Sequence, residues 1–146
     1  MDDFSYHRPK DVEEAISLYQ SADDPMYISG GMTLIPTMKQ RLAEPTDVID
    51  LSGLPELTGV KSLKDRLTIG AFTRHNDVAN HEAIQAKLPV LSKLASGIGD
   101  NQVRNRGTIG GSIANSDPAA DYPAAVVGLG ATIITQQREI AGDDFF

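Results

Sequence analysis

Met26-Tyr27-Ile28-Ser29-Gly30-Gly31-Met32-Thr33-Leu34-Ile35-Pro36 is the stretch on which the reading of this chain turns. A short apolar run ends in a hydroxyl and two glycines. Leu34, Ile35, Met38 and Leu42 then recur at helical spacing, with Lys39, Gln40 and Arg41 turned outward. Val48-Ile49-Asp50-Leu51 supplies the next strand. Strand, glycine turn, helix and strand make a βαβ unit, whose parallel strands require the helix to cross over one face of the sheet. The glycine pair opens at the start of that helix. There the missing Cβ permits positive φ and lets a ligand come within hydrogen-bond distance of consecutive N–H groups.

Upstream, Asp11 is placed to cap a helix in which Val12, Ala15, Ile16 and Tyr19 form one apolar stripe, with Glu13 and Glu14 in its first turn. Downstream, Val60 to Leu63 and Leu67 to Phe72 read as antiparallel strands joined around Lys64-Asp65-Arg66. Helical stretches follow at Val78 to Leu88 and at Pro89 to Ile98, the second closed by Gly97 and Gly99. Val103-Arg104-Asn105-Arg106 reads as extended and leads into a second glycine bend, Thr108-Ile109-Gly110-Gly111-Ser112-Ile113. Asp117-Pro118 and Asp121-Tyr122-Pro123 give two turn or cap signals before a helix over Ala124 to Leu129. Thr132 to Thr135 and Arg138 to Ile140 make a last hairpin. A boundary near Pro55 divides the chain into residues 1–56 and 57–146.

The chain has 146 residues, enough for a buried core, with 13 basic and 20 acidic side chains and a formal charge of −7. That balance repels a nucleic-acid backbone or an anionic membrane surface. Cysteine is absent, so this chain holds no disulfide, thiolate zinc site or iron–sulfur cluster, and its composition fits a reducing compartment such as the cytoplasm. No apolar run reaches membrane-spanning length, and Met1-Asp2-Asp3-Phe4 does not begin a signal peptide. The ending Asp143-Asp144-Phe145-Phe146 is unlike the polar, frayed end of a finished domain and reads as a chain that continues.

Each glycine pair has a plain reading, a tight strand-to-helix connection for Gly30-Gly31 and a bulge or sheet corner for Gly110-Gly111. Two pairs flanked by the hydroxyls of Thr33, Thr108 and Ser112 in one acidic chain point further, to a pyrophosphate held from both sides. Asp121 is either a helix cap or an acceptor for ribityl or ribose hydroxyls, since a carboxylate against a pyrophosphate is repelled. Arg104 and Arg106 project to one side of their segment; such pairs are commonly solvated, and they stay outside the candidate site.

Other chemistries find no support. Gly97-Ile98-Gly99-Asp100-Asn101-Gln102 ends in glutamine and follows a helix, which rules out a dinucleotide-binding G-x-G-x-x-G turn. There is no phosphate-loop motif, and His7, His75 and His81 lack metalloprotease spacing. No nucleophile and base, and no metal-ligand set, stands out, so any redox chemistry belongs to a cofactor.

With these residues in view, the chain resembles the FAD-binding medium subunit of the molybdenum hydroxylases, the group of aerobic carbon monoxide dehydrogenase and xanthine dehydrogenase. The resemblance rests on Ser29 to Pro36 and on the run from Gln102 to Asp121, and it extends from Phe4 to the end of the chain. It implies an α+β fold of the PCMH type, with a small βαβ layer, an antiparallel α/β layer and FAD between them. It places Ser29, Gly30, Gly31, Met32, Thr33, Leu34, Ile35 and Pro36 on the cofactor, together with Thr108, Ile109, Gly110, Gly111 and Ser112. Asp121 matches an FAD-contacting aspartate of the family, and Ile98 a position near the flavin. Met32 replaces a residue that is often polar there.

The implied role is electron transfer. Substrate is oxidised on a molybdopterin large subunit, electrons cross iron–sulfur clusters on a small subunit, and FAD passes them to an acceptor. The family continues into a C-terminal domain that helps enclose the flavin ring, so this chain alone is expected to bind FAD weakly. A rival reading keeps the fold without the flavin, as an assembly or interaction module.

Overall fold

The computed structural model describes residues 1–146. Its first layer is a parallel sheet of β1 (Ser5–His7), β2 (Pro25–Ile28) and β3 (Asp47–Asp50), in the order β1-β3-β2. β3 takes the centre because it carries the most apolar pair, Val48 and Ile49, both buried. Helix α1 (Val12–Ser21) connects β1 to β2, and α2 (Leu34–Lys39) connects β2 to β3. Asp11 caps α1 as the sequence indicates, its carboxylate accepting from Glu14 N at 2.8 Å. Ala15, Ile49 and Leu54 form the small core between α1 and the sheet.

β1 has no counterpart in the sequence reading. Ser5-Tyr6-His7 carries no apolar run, and the strand is held at the sheet edge by backbone pairing to β3, in register Ser5 to Asp47 and His7 to Ile49. His7 Nε2 also meets Asp47 Oδ1 at 2.6 Å.

The rest of the chain is mostly helical. A hairpin of β4 (Val60–Ser62) and β5 (Leu67–Ile69) precedes α3 (His75–Asn80), α4 (Glu82–Lys87), α5 (Pro89–Gly97), α6 (Asn101–Arg104), α7 (Ile109–Asn115) and α8 (Asp121–Gly128). A second hairpin, β6 (Thr132–Ile134) with β7 (Glu139–Ala141), and the short α9 (Gly142–Phe145) complete it. The two hairpins are separate two-stranded sheets, so antiparallel pairing is present but does not extend into one sheet. Helices α3, α4, α5, α7 and α8 enclose the larger core, built on Val78, Ile84, Leu91, Ala95, Ile113, Tyr122 and Val126. Mixed helices and strands give an α+β fold, as expected.

Four local expectations are corrected. The single helix over Val78 to Leu88 is broken at His81, whose Nδ1 accepts from Ala83 N at 3.2 Å and so caps a new helix. Val103 to Arg106 is not extended: Asp100 accepts from Val103 N at 2.8 Å and nucleates α6. Gly110 and Gly111 do not form a bend before a loop but lie in the first turn of α7, with Thr108 as its cap. Asp121 caps nothing; it is the first residue of α8, and Ala120 occupies the cap position.

Candidate functional site

The two glycine segments meet. Ser29 Oγ and Thr108 Oγ1 lie 2.7 Å apart, joining positions 79 residues distant in sequence. Beside them Gly30 packs flat on the backbone of the second segment. A Cβ at Gly30 coincides with the space of Arg106 O and falls 2.7 Å from the Arg106 carbonyl carbon and 2.8 Å from Gly107 Cα. Gly30 is therefore glycine because a neighbouring main chain occupies the side-chain volume. Gly31 is glycine for a different reason: its φ is +73°, in the left-handed region that favours glycine.

The segments differ in what their amides do. The N–H groups of Gly30, Gly31, Met32 and Thr33 donate to no group of the chain, while Gly31 O and Thr33 O accept the first bonds of α2 from Ile35 and Thr37. These are four consecutive free donors. In the second segment the donors are used internally: Ile109 N to Thr73 O at 2.9 Å, Gly110 N to Ala71 O at 2.8 Å, Gly111 N to Thr108 Oγ1 at 3.2 Å and Ser112 N to Thr108 O at 3.1 Å. Thr108 N alone is left without a partner there. The first segment thus presents free amides, and the second keeps all but one of its own for the chain. The second bend became a helix start, and a helix start capped by threonine consumes its own N–H groups.

The remaining expected residues fall in distinct places. Met32 and Thr33 are exposed at the rim, Leu34 and Ile35 are half-buried, and Pro36 sits in the first turn of α2, where no N–H is required of it. Ile35 folds back over Gly31. The Ile109 side chain belongs to the larger core, so this residue supports the segment from behind. Ile98, at the end of α5, packs half-buried against the same core, and its carbonyl accepts from Arg104 Nη1 at 3.1 Å. Ser112 is half-buried, and Asp121 is exposed on α8.

Asp121 nonetheless reaches inward electrostatically. It faces a buried pair behind the second segment: His75, whose Nδ1 lies 3.2 Å from the Tyr122 hydroxyl, with Gly107 against its other ring edge. Burial lowers the His75 pKa, opposed by the Asp121 charge, and burial raises that of Tyr122, reinforced by Asp121. His75 N also donates to Gly107 O at 3.0 Å, so this pair anchors the Gly107 to Gly111 segment.

A folded-state pKa below the unfolded value of 6.5 means that the unfolded chain binds the proton better. The His75 contribution is complete above that value and is lost as pH falls through the depressed folded pKa. The thermal midpoint should therefore drop as the pH falls below 6.5, and His75→Gln should remove that part of the slope. Acid loss through Asp47 and Asp50, whose pKa values are lowered, falls below their ordinary 3.8 and is separable.

Five polar residues outside the sequence-derived site line a pocket of about 340 Å³ with Ser29 and Gly30: Tyr6, Asp50, Ser52, Arg74 and Arg106. Tyr6 OH and Ser52 both donate to Asp50, the latter through N at 2.8 Å and Oγ at 2.9 Å. Burial pushes the Asp50 carboxyl up, but the hydrogen bonds from Tyr6 and Ser52 outweigh it and hold it below the usual range. Asp50 ends β3, and a polar residue at the carboxyl end of a parallel strand was the one available signal. Arg74 becomes visible only through its bridge to Thr108.

Comparison with known proteins places this geometry. The carbon monoxide dehydrogenase medium chain of Hydrogenophaga pseudoflava is 41% identical over 148 aligned residues, covering 98% of this chain and 52% of that protein. The glyceraldehyde dehydrogenase medium chain of Sulfolobus acidocaldarius is 38% identical, covering 99% and 53%. The chain thus spans about half the length of the curated relatives it matches. Among solved structures, carbon monoxide dehydrogenase from H. pseudoflava superposes with a TM-score of 0.93 at 41% identity, covering 97% of this chain and 51% of that one. Quinoline 2-oxidoreductase from Pseudomonas putida 86 gives 0.93 at 29% identity, covering 99% and 54%. The model of the FAD binding domain in molybdopterin dehydrogenase matches residues 2–146, and this chain, with its free amides after β2 set against the Thr108 segment, belongs to that family of FAD-binding domains.

Proposed function

We propose that this chain is the FAD-holding part of an electron-transfer subunit in a molybdenum-containing hydroxylase or dehydrogenase. The observation that carries the reading is the run of four partnerless amides from Gly30 to Thr33, closed on one side by the Ser29 to Thr108 contact. A pyrophosphate needs several donors, and backbone amides supply them without reorganisation. The chain fits the cofactor on that ground.

In this role Gly30 to Thr33 and Thr108 N receive the phosphoryl oxygens, and Ser112 adds a hydroxyl. Leu34, Ile35 and Pro36 fix the path of α2, and Gly110, Gly111 and Ile109 fix α7 against Ala71 and the core. Because α2 and α7 have only six and seven residues, the individual amides rather than helix dipoles do the binding. Asp121 accepts from sugar or ribityl hydroxyls, and Ile98 contributes apolar wall. Bound FAD supplies a carrier able to exchange one or two electrons. We assign residues 1–56 and 57–146 to the two layers that hold it.

The partners that follow are an iron–sulfur small subunit and a molybdopterin large subunit, in the cytoplasm. Relatives named as medium chains support this assignment, as does the lack of cysteine. No helix is long and apolar enough to cross a membrane.

Visible absorption of the purified protein after equilibration with FAD tests the reading. Flavin bands that accumulate on the protein side in equilibrium dialysis against FAD are expected, and their amplitude should fall when Thr33 and Gly31 are replaced. Protein that stays colourless at saturating FAD, yet still joins the two partner subunits, identifies the assembly module instead.

A further inference from the structure

We propose that Arg74 and Arg106 form a guanidinium pair that binds the phosphoryl groups of the nucleotide and makes its affinity charge-dependent. This rests on the nucleotide-binding reading above and adds two residues to it. Both side chains line the pocket of about 340 Å³ that also contains Ser29 and Gly30.

Their placement follows from the backbone. Arg106 immediately precedes Gly107, and its carbonyl is the atom against which Gly30 packs, so the side chain leaves the main chain beside the free amides. Arg74 faces Thr108 across an isolated antiparallel bridge, flanked by His75 N to Gly107 O at 3.0 Å and Ile109 N to Thr73 O at 2.9 Å. Residues opposite one another in an antiparallel pair project to the same face. Arg74 therefore lies on the face where Thr108 Oγ1 meets Ser29.

Neither guanidinium has a partner in the chain. The ion pairs are His7 with Asp47 and Arg41 with Asp2, and neither Arg74 nor Arg106 donates a side-chain hydrogen bond. Arg104, in contrast, is committed to the carbonyls of Ile98 and Gly99, at 3.1 and 2.9 Å. Two like charges on one pocket with no ion-pair partner repel each other, and a bound polyanion relieves that repulsion. Guanidinium also matches phosphate geometry with paired N–H donors. The same pocket also carries Asp50, which Tyr6 and Ser52 hold ionised and which an anion avoids. The pocket is polarised, and the phosphoryl groups go to the arginine side.

Titration calorimetry with FAD and, separately, ADP tests this on the wild type, Arg74→Gln, Arg106→Gln and the double variant, at low and high salt. Each single variant should bind both ligands about tenfold more weakly at low salt, and the double variant should lose most of the salt dependence. Arg106→Lys should recover part of the affinity. Thermal midpoints should not move, since both side chains are exposed. Wild-type affinity and salt dependence in the double variant overturn this proposal and leave the flavin reading intact. A wild type that binds ADP through these arginines but not FAD overturns the flavin reading alone. A wild type that binds neither ligand overturns both.

Discussion

Gly30→Ala is expected to unfold or severely loosen the junction between the two glycine segments, with a loss of about 3 kcal/mol or more in denaturant unfolding. The added methyl has no free volume: it meets the carbonyl group of Arg106 and Gly107 Cα, all main-chain atoms. A flexible side chain yields to such pressure, whereas a backbone carbonyl at this position moves only with its segment. The segment is fixed from behind by Gly107 N to Val103 O at 2.7 Å and by His75 N to Gly107 O at 3.0 Å. Strain therefore separates Ser29 from Thr108 and displaces the free amides, and FAD retention should vanish even where the protein stays folded. Gly59→Ala serves as a comparison, because a Cβ there meets nothing within 4 Å and only its φ of +102° opposes substitution. Equal stability of Gly30→Ala and wild type would show that the two segments do not meet as described.

Thr108→Val should cost about 2–3 kcal/mol at nearly constant volume. Thr108 is 2% exposed, and its hydroxyl oxygen serves two groups, accepting from Gly111 N at 3.2 Å and pairing with Ser29 Oγ at 2.7 Å. Valine keeps the shape and β-branching but leaves a helix N–H without its cap and a serine hydroxyl without its partner. Thr108→Ser retains both bonds and should lose only the buried methyl. Chemical denaturation of the three proteins separates the hydroxyl from the methyl. The hydroxyl interpretation fails if valine is as stable as threonine. FAD affinity should follow the same order, since α7 and the amide run are held together through this oxygen.

Residues with a local physical signature were legible before any coordinates. Met26 to Ile28, Gly30-Gly31 and Val48-Ile49 gave the βαβ unit, and Asp11 gave the start of α1, because apolar period and capping act over a few neighbours. Val60 to Leu67 and Thr132 to Ile140 gave hairpins for the same reason. The misreadings have two causes. Thr108 and Asp100 cap N–H groups only three residues on, a short-range signal masked by the glycines and polar residues that follow them. Ser5 to His7 becomes a strand only because β3 offers it an edge, a partner that sequence spacing does not identify.

By itself the sequence determined the parallel βαβ start, the glycine pair at its turn and the membership that Ser29 to Pro36 and Gln102 to Asp121 carry, since these lie in contiguous residues with strong backbone preferences. Only the tertiary structure decided which amides are free. Gly110 and Gly111 spend theirs on Ala71 and Thr108, while Gly30 to Thr33 keep theirs. It also decided that Arg74 and Arg106 share a pocket with Ser29, and that Gly30 must lack a side chain. Hydrogen-bond satisfaction and steric exclusion are properties of pairs brought together by folding, and apart from Gly111 with Thr108 the chain separates these pairs by 32 to 79 residues.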